Sequence, residues 1–217
     1  MEIKILYADR DIALVIKPVG ISSENEGMPA ILAKQLNKKE VFPVHRLDMA
    51  VGGLMVYTLS KKAAAGLSAQ IAERKLQKEY LAVVQGAPAE PRGIMQDLMF
   101  KDKAKNKSYV VKRKRAGVKD ASLEYETLEH HTDFSLQHIT LHTGRSHQIR
   151  VQFSSRKMPL VGDVKYGSIY RDCPIALWSY ALSFKHPITG EALSFTALPE
   201  SSYPWNEFEF SAKGDTL

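Results

Sequence analysis

Short apolar runs, each closed by glycine, proline or aspartate, constrain this chain more than any other feature. Ile3-Lys4-Ile5-Leu6-Tyr7 and Ile12-Ala13-Leu14-Val15-Ile16 flank a polar turn at Ala8-Asp9-Arg10-Asp11, and Pro18 and Gly20 end the second run. Further runs cover 53–59, 79–85, 123–128 and 134–141, the last two facing each other across Thr132-Asp133. Such lengths suit strands and are too short for amphipathic helices. Helical signals are fewer. Pro29 suits a first helical position. Ser60 is a good N-cap for a helix to about Lys75 with Ala64, Leu67, Ile71 and Leu76 as its buried stripe. A third short helix is expected over 146–154. Strands outnumber helices without regular βαβ alternation, which predicts an α+β fold.

Composition narrows the setting. A chain of 217 residues suits one domain, and we read 1–217 that way. No apolar run reaches membrane-spanning length and no signal-peptide core opens the chain, so a cytoplasmic protein without a membrane partner is expected. The one cysteine, Cys173, excludes an internal disulfide, fits a reducing compartment and reads as a bystander thiol. The net charge of +6 fits a polyanionic partner. It is concentrated between Lys101 and Lys119, where nine Lys or Arg face one Asp around Tyr109-Val110-Val111. That pattern predicts a basic hairpin, with Lys112, Arg113, Lys114 and Arg115 as candidate phosphate contacts; a solvated, partly mobile arm is the plainer reading.

Two segments carry the candidate chemistry. His45-Arg46-Leu47-Asp48 precedes Gly52-Gly53-Leu54-Met55-Val56, which places a carboxylate beside a cation at the mouth of a buried strand. Thr143-Gly144-Arg145-Ser146-His147-Gln148-Ile149-Arg150 is built similarly. Taken alone, an Asp near a glycine pair is usually a turn former. The clustered histidines His130, His131, His138, His142 and His147 lack the regular ligand spacing of a metal centre, and no metal or other cofactor is expected. His138 and His142 are predicted to share one strand face.

Together these segments resemble the RluA-type family of pseudouridine synthases. The resemblance extends to Lys17-Pro18-Val19-Gly20, Lys78-Glu79-Tyr80-Leu81-Ala82, Gly162-Asp163-Val164-Lys165-Tyr166-Gly167, and a closing segment from Ala181 to Pro199. It implies one domain around a long, bent, largely antiparallel mixed sheet with a central cleft, and no separate N-terminal S4 module. It also implies a reaction in which the N1–C1′ bond of a uridine breaks, the uracil turns over, and C5 joins C1′. On this resemblance Asp48 is the catalytic carboxylate, either a nucleophile at C1′ or a base at C2′. Arg150 is its ion-pair partner, Tyr80 the aromatic that stacks on the uracil, and Arg46 the side chain that fills the gap left by the flipped base. Arg145, His147 and, more weakly, Lys17 are candidate phosphate or ribose contacts.

The chain departs from the family pattern in places. Val51-Gly52-Gly53 stands where the family has Thr-Ser-Gly, and Ser146 replaces a Thr. Gln152 and Trp178 stand where histidines are common, so altered RNA contacts are expected there. The implied partner is structured rRNA or tRNA, and the implied enzyme a monomer. The alternative is a non-catalytic RNA-binding or chaperone-like protein on the same scaffold. A nucleoside glycosidase is a more distant one.

Overall fold

A computed structural model describes residues 1–210. In chain order the elements are β1 (Ile5–Ala8), β2 (Ile12–Lys17), α1 (Met28–Gln35), β3 (Phe42–Pro43), β4 (Gly52–Thr58), α2 (Lys61–Ala72) and β5 (Gln77–Gln85). There follow β6 (Arg92–Asp102), β7 (Lys107–Val111), β8 (Val118–His130), β9 (Phe134–Leu141), α3 (Gln148–Ser155), β10 (Leu177–Lys185) and β11 (Ala192–Thr196). Single 3₁₀ turns lie at Val164–Tyr166 and Trp205–Glu207. No helix among the described residues is long and apolar enough to cross a membrane.

The eleven strands form one open sheet in the order β1-β2-β4-β10-β5-β9-β8-β6-β7, with β3 against β4 and β11 against β10. Every pairing is antiparallel except β4 with β10. This is the mixed, largely antiparallel sheet that the family resemblance implied, within the α+β class that the short runs predicted. The parallel junction has a steric requirement. Gly53 has φ +114°, and a Cβ there would lie 2.4 Å from the Ser179 carbonyl oxygen. Only glycine permits both that backbone angle and that approach. Irregular registers at Thr127/Glu129 and Ser179/Ala181 add local bends.

Burial explains why the central strands read as continuous apolar runs. All seven residues of β4 are buried. On one face Met55, Tyr57, Tyr80, Ala82 and Ile139 pack with Leu32 of α1 and Ile149 and Phe153 of α3. On the other, Leu54 and Val56 meet Ala63 and Leu67 of α2. A strand covered on both faces has no polar side to alternate with. The basic strands β6 to β8 are only partly covered, so their residues alternate in exposure.

Local signals placed the helices closely. Ser60 caps α2 by accepting from the Ala63 N–H at 3.2 Å, as expected. The predicted stripe shifts by one residue: Ala63 and Leu67 are buried, Ala64 and Ile71 only partly, and Leu76 lies beyond the helix end. The third helix begins at Gln148 rather than 146, because His147 takes a left-handed conformation at φ 55°. All six residues from Gln148 to Phe153 are buried, including Arg150 and Gln152. This helix runs through the interior, and its polar residues therefore need internal partners.

Candidate active site

The β3–β4 loop, β5 and the segment leading into α3 enclose a cleft of about 1060 Å³. Asp48 enters it from the loop, Tyr80 from β5, Arg145 and His147 from the lead-in, and Arg150 from the first turn of α3. The two segments that resembled each other in sequence thus meet across 102 residues. Arg150 Nη1 donates to Asp48 Oδ2 at 2.8 Å.

Arg150 is held from its other edge too. Its Nε and Nη2 donate to Asp163 Oδ2 and Oδ1 at 2.7 and 2.8 Å, and its guanidinium lies 5.1 Å from the centre of the Tyr166 ring. Asp163 is wholly buried, whereas Asp48 keeps 22% of its side chain exposed. A planar fork satisfied on one side by a buried carboxylate can offer its remaining edge in only one direction. Burial opposes the charge of Arg150, but the hydrogen bonds and charge of Asp163, joined by Asp48, hold its pKa above the ordinary value. One carboxylate therefore locks the cation, and the other stays open to the cleft.

His147 stands behind this pair. Tyr166 Oη accepts the Ser108 N–H at 2.8 Å and lies 2.8 Å from His147 Nδ1. The phenol then donates to Nδ1, which leaves Nε2–H facing Asp48 Oδ2 at 3.8 Å. Burial lowers the pKa of His147, and the opposing pull of Asp48 does not overcome it. Tyr80 is buried, and its phenol is pushed up by burial and then by the Asp48 carboxylate, so it is neutral at physiological pH.

The loop bearing Asp48 is pinned without the hydroxyls that the resemblance led us to look for. The Val51 N–H closes a turn on the Asp48 carbonyl at 3.0 Å, and the Gly20 N–H donates to the Met49 carbonyl at 2.8 Å. Ser23 Oγ holds the Leu47 carbonyl at 2.9 Å. Lys17 belongs to the same set, which corrects its assignment as an RNA contact. It is fully buried, and its Nζ donates to the carbonyls of Pro18 and Ile21 at 2.8 Å and of Met49 at 3.4 Å. Burial lowers its pKa to about 8 against the raising effect of Asp48. Lys17 braces the loop and does not face the cleft.

Other residues also depart from expectation. Gln152 is fully buried and ties α3 to β6 through the Met95 carbonyl and Asp97 at 3.2 and 2.7 Å. Trp178 packs against Gly52, whose absent Cβ would lie 2.6 Å from the indole, and donates to the Ala197 carbonyl at 2.7 Å. Neither lines the cleft, so neither replacement alters its surface. The histidines disperse. His138 meets Glu79 at 2.8 Å, His131 meets Glu129 at 2.6 Å, and His142 lies beyond the end of β9, near Glu124 at 3.1 Å. Glu124 pairs with Thr140 on the face that carries His138, so His142 at Glu124 lies on that side too.

Arg46 sits exposed on the rim, 3.4 Å from Glu24, and Arg145 Nε donates to the Asp120 carbonyl at 2.8 Å. The basic hairpin forms from β6, β7 and β8. Its turn residues Lys112, Arg113, Lys114 and Arg115 lie outside the cleft but adjoin its rim through Asp120, whose carboxylate is 3.2 Å from Lys114. Arg115 rests on the Phe100 ring at 4.8 Å. Sequence reading missed Asp163, Tyr166 and His45 as supports. Their signal was present in the quoted motifs, but a support residue shows its role only once its partner is known.

Residues 11–155 match the family model described as RNA pseudouridylate synthase. The dual-specificity RNA pseudouridine synthase RluA of Haemophilus influenzae is 33% identical over 89% of this chain and 91% of its own. The tRNA pseudouridine synthase C of Haemophilus ducreyi is 29% identical over 96% of both. Among solved structures, human RNA pseudouridylate synthase domain containing 1 superposes with a TM-score of 0.78 at 23% identity, over 92% of this chain and 84% of that one.

Proposed function

The chain belongs to the RNA pseudouridylate synthase family, and from that premise we propose that it isomerises specific uridines in structured rRNA or tRNA with Asp48 as the catalytic carboxylate. The observation that carries this reading is the open edge of Asp48. Its carboxylate faces the cleft and Tyr80, and is held through Arg150 by a second, buried carboxylate. Nothing is oxidised in the reaction. The N1–C1′ bond breaks, the uracil rotates, C5 bonds to C1′, and the proton lost from C5 is balanced by one gained at N1. Asp48 acts at the ribose, at C1′ or C2′. Tyr80 packs on the uracil while it turns, and Arg150 keeps Asp48 aimed. His147, neutral, supports the same carboxylate from behind.

A stacked base is out of reach of such a site, so the target nucleotide is extruded into the cleft at a cost of a few kcal/mol. Arg46 on the rim fills the vacated position in the stack. Arg145 and the hairpin turn from Lys112 to Arg115 grip phosphates outside the cleft. The proposal is for a monomer in the cytoplasm.

The test is a pseudouridine map of cellular RNA from a strain lacking the gene, rescued with wild type or Asp48→Asn. Specific sites are expected to vanish and to return only with wild type, while purified Asp48→Asn still binds RNA. Sites restored by Asp48→Asn, or a map unchanged by the deletion, overturn the reading.

A further inference from the structure

Most cations around the cleft already have a partner in the protein. Arg150 has two carboxylates, Arg46 has Glu24, Arg145 has a carbonyl, and Lys101 Nζ donates to Ser146 Oγ at 2.9 Å. Lys78 differs. It lies two residues before Tyr80 on β5, hence on the same face of the strand, and both line the cleft. It is half-buried, and burial alone lowers its pKa, with no carboxylate near enough to pull it back. A desolvated ammonium without a partner costs stability.

Gly144 borders it on the cleft side: a Cβ there would lie 4.0 Å from Lys78 Nζ, an ordinary contact distance. The same wall carries a second donor without an acceptor. His45 Nε2 accepts the Val56 N–H at 3.2 Å, so the proton sits on Nδ1, which is buried and unpartnered.

Resting on the synthase reading above, we infer that Lys78 binds a backbone phosphate of the RNA strand at the extruded nucleotide, where it lines the cleft beside Gly144 and Tyr80. A compact point charge suits one non-bridging phosphate oxygen. The site is left without a protein acceptor because the RNA supplies it.

The test measures binding of a synthetic RNA hairpin with unpaired loop uridines to wild type, Lys78→Met and Lys78→Arg across salt concentrations, with thermal melts of the free proteins. Lys78→Met is expected to melt above wild type, to bind about tenfold more weakly, and to lose about 0.7 from the slope of log K against log salt, the share of one phosphate. Lys78→Arg restores the slope. Neutral methylphosphonates placed one linkage at a time should weaken wild type sharply at one linkage and leave Lys78→Met unaffected there. That series reads wild type directly and stands even if a variant misfolds. Wild-type affinity and slope in Lys78→Met, or an equal penalty at every linkage, overturns the inference. Because binding is read without turnover, its failure is separate from a failure of Asp48 to isomerise uridine.

Discussion

Asp163→Asn tests the idea that one carboxylate locks Arg150 while the other works. The side chain of Asp163 is wholly buried and that of Arg150 only 6% exposed, with two hydrogen bonds of 2.7 and 2.8 Å between them. An amide keeps the shape but turns one acceptor into a donor facing an N–H of the guanidinium. Arg150 then remains as a buried cation with Asp48 as its only anionic partner. Breaking a buried pair in this way costs about 3–5 kcal/mol. For a chain of this size that corresponds to a fall in Tm of roughly 6–20 °C. Asp48→Asn is the control. Its carboxylate is partly exposed, and Arg150 keeps Asp163, so the cost should be near 1 kcal/mol. Thermal and urea melts of wild type, both variants and the double variant measure these terms. Asp48→Asn should abolish isomerisation with a modest stability loss, and Asp163→Asn should lose far more stability and about tenfold in turnover where it is folded. If Asp163→Asn melts within about two degrees of wild type, or if the two variants cost the same, Asp163 does not lock the cation.

Two further outcomes follow from the supports of the site. Burial, and then the Lys78 charge, lowers the pKa of His45 from 6.5 to about 3. The unfolded chain therefore binds a proton that the folded one refuses, and this stability is present above pH 6.5 and lost as pH falls toward 3. Urea melts should lose up to about 1.4 kcal/mol per pH unit across that window, and His45→Gln, which keeps an acceptor for Val56, should flatten the profile; an equally steep variant profile would count against it. Gly52→Ser would set a Cβ 2.6 Å from the Trp178 ring and should cost about 1–3 kcal/mol. In a double-mutant cycle Trp178→Ala should recover most of that loss, and additive losses would mean that the indole does not occupy the space.

Much of the fold was legible because strand-length apolar runs and their terminators are local properties. Ser60 caps its helix through a residue three positions away, and Pro29 suits a helix start by its own ring. The candidate chemistry was legible for another reason. Asp48, Tyr80 and Arg150 sit in segments whose order resembles a known family. Lys17 was misread because the resemblance offered it as an RNA contact. Only the folded loop reveals the carbonyls that hold it inside. Gln152 and Trp178 looked like altered RNA contacts because they stand where the family often has histidines, until packing placed both away from the cleft.

The sequence by itself determined the strand-rich α+β class and the basic hairpin and nominated Asp48 as the candidate carboxylate, since periodicity, turn residues and motif order are all written along the chain. Tertiary structure alone decided that Asp163 locks Arg150, that Lys17 braces the loop of Asp48, and that Lys78 stands without a partner among the described residues. Each of these depends on which groups are desolvated together, and contacts between residues far apart in the chain determine that.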